Sequence, residues 1–263
     1  MIKLSISNIA WSAENDLQAY DLMRSHGYSG LEIAPTRIFP DNPYDSIEQS
    51  AQWAERLQAD WGFSLPSMQS IWYGRPERLF ASAEEREILA EYTKKAILFA
   101  EAIHCNNLVF GCPRNRTLPE GADAQLAVSF FRDLGEYALS HNTVIAMEAN
   151  PPIYNTNYIN TTPSAIELIK QVDSMGFLLN LDVGTMIENG ESVSDLAGYV
   201  KYINHVHISE PGLKPICTRE LHKELFALLQ KENYQGFVSI EISKQQDMDI
   251  LKQALTYVRE ISL

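Results

Sequence analysis

The stretch Leu179-Asn180-Leu181-Asp182-Val183-Gly184 is a short apolar run that closes on an acidic residue and a glycine. Short apolar runs recur from one end of the chain to the other, at Lys3–Asn8, Gly30–Ala34, Ser64–Gln69, Asn107–Gly111, Thr143–Ala149, Phe177–Val183, His205–Ile208 and Phe237–Ile242. Each is rich in Val, Ile, Leu or Phe and runs into a polar loop, which is how a buried strand reads. Amphipathic stretches lie between them. From Ala83 to His104, apolar residues return every three to four positions behind an S-x-x-E capping box of Ser82 and Glu85. Thr162-Pro163 opens another helix as N-cap and first helical residue, and Asp247–Ile261 forms the last. Gly27, Gly176 and Gly236 stand where a helix would stop before the next strand.

Strands alternating with helices imply a parallel sheet, and eight of them favour closure over an open sheet. The chain has 263 residues, about 33 per unit, the size of a βαβ repeat. The expectation is an α/β fold, one (β/α)8 TIM barrel with parallel strands, spanning residues 1–263 as a single domain. A doubly wound sheet is the alternative, but the first turn, Ser7-Asn8-Ile9-Ala10-Trp11, lacks a dinucleotide glycine fingerprint.

Composition narrows the function. A net charge of −13 argues against nucleic acid, which asks for a basic footprint. No stretch approaches 18 consecutive apolar residues, so no membrane span is expected, and the N-terminus lacks a signal-peptide core. Cys105, Cys112 and Cys217 form neither a disulfide framework nor a zinc knuckle. A cytoplasmic location is the expectation.

The last four strands each carry an ionisable residue near their C-terminal end: Glu148, Asp182, His207 and Glu241. Their separations are 34, 25 and 34 residues, about one unit each, so in a barrel they converge at the mouth. Carboxylates inside apolar strands are expensive unless paired or metal-bound, and three together repel one another unless a cation joins them. Three oxygen donors and an imidazole suit one divalent ion, with Mn2+, Mg2+ or Co2+ ahead of Zn2+. Period-two geometry puts His205 one layer below His207, as a buried support. Glu210 is placed to contact substrate or to orient His207, and Glu32 to face inward or sit in the wall. Weaker candidates for substrate binding are Trp11, Trp72 and Gln69, with Arg114 (and Lys214 and Lys244) for an anionic group.

The order Glu, Asp, His, Glu on strands five to eight, with "HVHISE" and "VSIEIS", resembles the xylose-isomerase-like barrel superfamily. "GLEIAP" and "LVFGCPRNR" extend the resemblance over essentially the whole chain, which is most similar to the sugar phosphate isomerase/epimerase group that includes the ketose 3-epimerases. The resemblance implies one divalent metal, often Mn2+, on the four matching residues. It also implies that Glu148 and Glu241 act as the acid/base pair on a ketose or related sugar, phosphorylated or not, through a cis-enediolate. Barrels of this group often form dimers or tetramers. One departure is visible: many relatives carry Asp-x-x-His on strand six, the His contacting substrate, where this chain has Thr185, which donates a hydrogen bond but does not titrate near neutrality. Other readings are a metal-dependent dehydratase or lyase, and a non-catalytic sugar-binding barrel. A DNA-cutting endonuclease would need additional histidines on strands three, four and six, whereas of the six present His26, His104 and His141 fall in or beside helices.

Overall fold

The computed structural model describes residues 2–263. In chain order its elements are β1 (Lys3–Ser7), α1 (Asp16–Ser25), β2 (Gly30–Glu32), α2 (Pro35–Ile38), α3 (Ile47–Trp61), α4 (Ala83–Ala102), β3 (Leu108–Phe110), α5 (Gln125–Ser140), β4 (Ile145–Glu148), α6 (Thr162–Val172), β5 (Phe177–Asp182), α7 (Val183–Asn189), β6 (Ile203–Ile208), α8 (Glu220–Lys231), β7 (Phe237–Ile240) and α9 (Met248–Ile261), with short 3₁₀ turns between. All strand pairs are parallel, in the order β2-β1-β7-β6-β5-β4-β3.

Seven strands appear where eight runs were expected, because Ser64–Gln69 makes only isolated bridges, to Gly30, Ile33 and Leu108. Pro66 sits in its middle and has no N–H to give to a ladder. The segment still joins the two sheet edges. Ser64 accepts from Leu31 N (2.9 Å) and Gln69 N donates to Ile33 O (2.8 Å) on one side; Met68 N donates to Asn107 O (2.9 Å) and Met68 O accepts from Val109 N (2.8 Å) on the other. The barrel therefore closes through an interrupted third member.

Helix ends follow the sequence with small offsets. The N-cap of α6 is Thr161, one residue earlier than expected, and Thr161 and Ser164 form a full capping box. Ser82 accepts from Glu85 N, but Glu85 turns its own carboxylate to Arg78 N instead of completing the box. Gly176 is required by contact: a Cβ there would lie 1.8 Å from the Gly135 carbonyl oxygen, so α5 packs on the entry to β5 only over a bare backbone. Residues Leu251, Ala254, Leu255 and Val258 bury one stripe of α9.

The strands sort their side chains by period two. Gln69 bonds Ser7 and Glu32, His207 bonds Glu32, and Asn180 bonds Glu148, so all of these face the barrel axis. Their apolar neighbours, such as Ile6, Leu181, Val206 and Ile240, are fully buried and must turn outward to the helices. The inside of the barrel is thus markedly polar.

Candidate metal centre

Register carries the four expected residues to one place. Glu148 is paired with Asn180, and Asp182 with His207. Glu241 follows β7 directly and keeps the ladder by donating its N–H to Ile208 O. One donor atom from each of Glu148, Asp182, His207 and Glu241 lies within 4.8 Å of the others. The three carboxylates line a cavity of about 180 Å³, together with Gln69, Ser70, Tyr154, Glu210 and Leu213, and His207 lies buried beneath them.

His207 is fully buried and spans two carboxylate shells. Its Nε2 is 2.9 Å from Glu32 Oε2, while Nδ1 is 3.1 Å from Glu148 Oε1 and 3.3 Å from Glu241 Oε2. Burial favours the neutral ring, but Glu32 and Glu241 outweigh it and hold the imidazole well above its ordinary value. Glu32 is completely buried; burial would raise its carboxyl, yet the neighbouring imidazoles, His207 foremost, hold it below the usual carboxylate range. His205 Nε2 is 3.0 Å from the same Glu32 oxygen but out of line for a hydrogen bond, and burial lowers its pKa. Glu32, His205 and His207 also cluster tightly enough to hold an ion. Their contacts are already those of a carboxylate fixing imidazoles, with Gln69 Nε2 on its second oxygen at 3.0 Å.

The carboxylates above are tethered by donors. Glu148 accepts from Asn180 Nδ2 at 2.8 Å and from Asn150 Nδ2 at 3.0 Å. Asp182 accepts from Ser209 Oγ at 2.5 Å and from Thr185 N at 2.6 Å. Burial, reinforced by Glu148, pushes the Asp182 carboxyl up to about 6; burial likewise raises Glu241 to about 7. Glu148 has room because residue 111 is glycine, whose absent Cβ would lie 2.8 Å from Glu148 Oε2.

This donor set fits a divalent cation. Three buried or half-buried carboxylates and one imidazole nitrogen converge, and no cationic side chain among the described residues neutralises all three. The buried Arg116 spends its N–H groups on Glu148 O (2.9 Å) and Asn150 Oδ1 (2.7 Å), not on a carboxylate. Burial lowers its pKa to about 10.

The structure rearranges the other expected roles. Glu210 lines the cavity but does not bond His207; Arg219 grips its carboxylate at 2.7 and 2.5 Å, and the orienting contact on His207 comes from Glu32. Gln69 lines the cavity with its amide N–H groups committed to Ser7 and Glu32. Trp72 does not reach the cavity: its indole is buried against Phe110 and donates to Thr93 in α4. Trp11 is buried too, donating to Asp16 with Arg37 over its ring. Thr185 turns its hydroxyl to Ala149 O at 2.8 Å, away from the cavity. Arg114 is exposed outside the cavity wall; two residues on, it is Arg116 that turns inward.

Asn150, Asn180, Ser209, Arg219 and Tyr154 were missed. Three of them had a signal, since Asn150 and Ser209 follow, and Asn180 precedes, a metal-ligand candidate by two residues, on the same strand face. Tyr154 had none; its hydroxyl accepts from Gly212 N at 2.9 Å and joins the loops after β4 and β6 over the cavity rim.

A family model described as xylose isomerase-like TIM barrel matches residues 20–261. A human protein named "Putative hydroxypyruvate isomerase" is 26% identical over 175 residues, 60% of this chain, and the match spans only 61% of that relative. Among solved structures, the D-psicose 3-epimerase of Clostridium cellulolyticum H10 superposes with TM-score 0.81 at 16% identity, covering 99% of this chain and 98% of its own. The 3-keto-D-glucoside 4-epimerase YcjR of E. coli superposes with TM-score 0.77 at 19% identity, covering 99% and 100%. At these identities the superpositions speak for the fold, whereas the family match speaks for descent. The chain belongs to the xylose isomerase-like TIM barrel family.

Proposed function

We propose that this chain is a divalent-metal-dependent isomerase or epimerase that moves a carbon-bound proton on a ketose or related small sugar. The observation that carries the reading is the convergence of Glu148, Asp182, His207 and Glu241, one donor atom each within 4.8 Å, with the three carboxylates opening onto a cavity. These four would hold one cation, Mn2+ first. Once bound, it would polarise a substrate oxygen and stabilise the negative charge that develops there as a proton leaves.

The chain's own groups supply the rest. Glu148 and Glu241 are the proton-transfer pair, one taking the proton and the other returning it. Each presents a carboxylate to the cavity. Asn180 and Asn150 hold Glu148 in place. Glu210, immobilised by Arg219, offers a fixed acceptor for a sugar hydroxyl. Tyr154 and Leu213 line the cavity. The fold resembles sugar epimerases of known structure, which favours this reading over a binding module.

The test is solvent exchange. Metal-loaded protein in D2O with a panel of ketoses should replace a carbon-bound proton by deuterium without loss of water, read by NMR. Glu148→Gln and Glu241→Gln should each lower the rate at least a hundredfold. Exchange that persists in both variants and after chelation would remove the proposal, and water loss would reassign the chain to a dehydratase.

A further inference from the structure

A second cavity of about 650 Å³ opens beside the reaction site, and Ser70 lines both. It is formed by the chain after β2, the turn after the Ser64–Gln69 segment and one side of α4. We propose that it seats a second, neutral sugar ring, so that the substrate is a glycosylated sugar whose reacting unit lies over Glu148 and Glu241. The inference rests on the proton-transfer reading of that site and adds the substrate class.

Size is the first argument. Pockets for small molecules usually run to about 300–1,000 Å³, and the reaction cavity, at about 180 Å³, falls short alone. The adjoining space brings the pair into that range.

Charge decides what could lie there. The cavity contains two guanidinium groups, which would suggest a phosphate. Both are already answered: Arg37 pairs with Asp16 at 2.5 Å, and Arg75 holds Glu77 through two bonds of 2.9 and 2.5 Å. A dianion would meet those carboxylates as well as the cations. A neutral, hydroxyl-rich group meets no such penalty and finds polar side chains at Thr36, Asn42 and Ser70 on the cavity wall.

Shape adds a stacking surface. Tyr73 stands on the lip, 71% exposed, while its neighbours Ile71 and Trp72 are buried and anchor the turn. Tyr92 is less available, because the Arg75 guanidinium lies 4.8 Å from its ring centre. A free aromatic ring beside neutral polar groups suits the C–H face of a sugar. Ser70, at the junction, holds a left-handed backbone with φ of 57°. Strain of this kind in a non-glycine residue gathers at ligand sites.

Isothermal titration of the metal-loaded full chain tests the assignment without requiring turnover. The probes are fructose, the glucosyl-fructoses isomaltulose and maltulose, and fructose 6-phosphate. At least one disaccharide should bind about tenfold more tightly than fructose, and Tyr73→Ala should bring it back to the fructose value while Tyr73→Phe keeps the gain. Equal affinity for fructose and both disaccharides overturns the subsite, as does a larger gain from the phosphate, or Tyr73→Ala weakening fructose and disaccharide alike. Absence of solvent exchange on every sugar, with the disaccharide preference intact, defeats the proton-transfer reading alone. Exchange on fructose with no disaccharide preference defeats the subsite alone.

Discussion

Glu32 on β2 and His207 on β6 meet across the barrel axis, Oε2 to Nε2, at 2.9 Å. That contact leaves Nδ1 of the same ring facing Glu148 and Glu241, with Asn180 Nδ2 3.2 Å away. A carboxylate that fixes the far nitrogen of a metal-ligating histidine typically matters 10–100-fold to metal affinity. Glu32→Gln should therefore weaken Mn2+ binding by about 10–100-fold, measured by competition with a chelator of known affinity. Unchanged binding would reduce Glu32 to a polar filler of the barrel wall.

The pH dependence of stability follows from the same cluster. Burial raises Asp182 to about 6 and Glu241 to about 7, above their ordinary carboxylate values. Groups raised in the folded state stabilise it below their unfolded pKa, and that contribution disappears as pH climbs through the folded one. His207, raised by Glu32 and Glu241 over the opposing effect of burial, acts in the same direction. Chelator-treated protein should lose thermal stability between about pH 5 and 8. Added Mn2+, which binds the deprotonated ligands, should raise the melting temperature more at pH 8 than at pH 5. His205 and His222, both lowered by burial, His222 to about 4, work in the opposite sense, but neither is among the proposed ligands. Comparing melting curves with and without metal cancels both. A metal-induced shift independent of pH would show that these acids are not the ligands.

The convergence of four candidate residues was legible because a closed barrel turns spacing into position. Glu148, Asp182, His207 and Glu241 stand at the ends of consecutive strands, and their spacing brings one donor atom of each within 4.8 Å of the others. Loop residues carry no such period. Trp11 and Trp72 looked available because they follow strands, but an aromatic ring in a loop can fold back into the core, and both do. Arg114 and Arg116 flank the end of the 3₁₀ turn Pro113–Asn115, and nothing in their identity says which one turns inward. The third strand faded for a local reason, the proline at its centre.

Thr185 offers a direct check on that reassignment. Its hydroxyl is buried and committed to Ala149 O, so it should act on stability, not on substrate. Thr185→Val should lower unfolding free energy by about 1–3 kcal/mol through the unsatisfied carbonyl, in a urea melt, with KM for any exchanging sugar unaltered. A KM effect with unchanged stability would return Thr185 to the substrate.

Gly111 tests whether Glu148 needs its present position. A methyl group there would stand 2.8 Å from Glu148 Oε2, closer than real side chains approach, so Glu148 or the loop must shift. Because Glu148 is held by Asn150 and Asn180, moving it breaks at least one of those bonds and would displace a carboxylate from the proposed cation site. Small misplacements of a reacting group can cost about a hundredfold in rate, whereas overpacking alone costs about 1–3 kcal/mol of stability. Gly111→Ala should accordingly reduce solvent exchange by about two orders of magnitude while the protein remains folded by circular dichroism. Wild-type exchange in that variant would mean that Glu148 tolerates displacement, and the proton-transfer role would then pass to Glu241 alone.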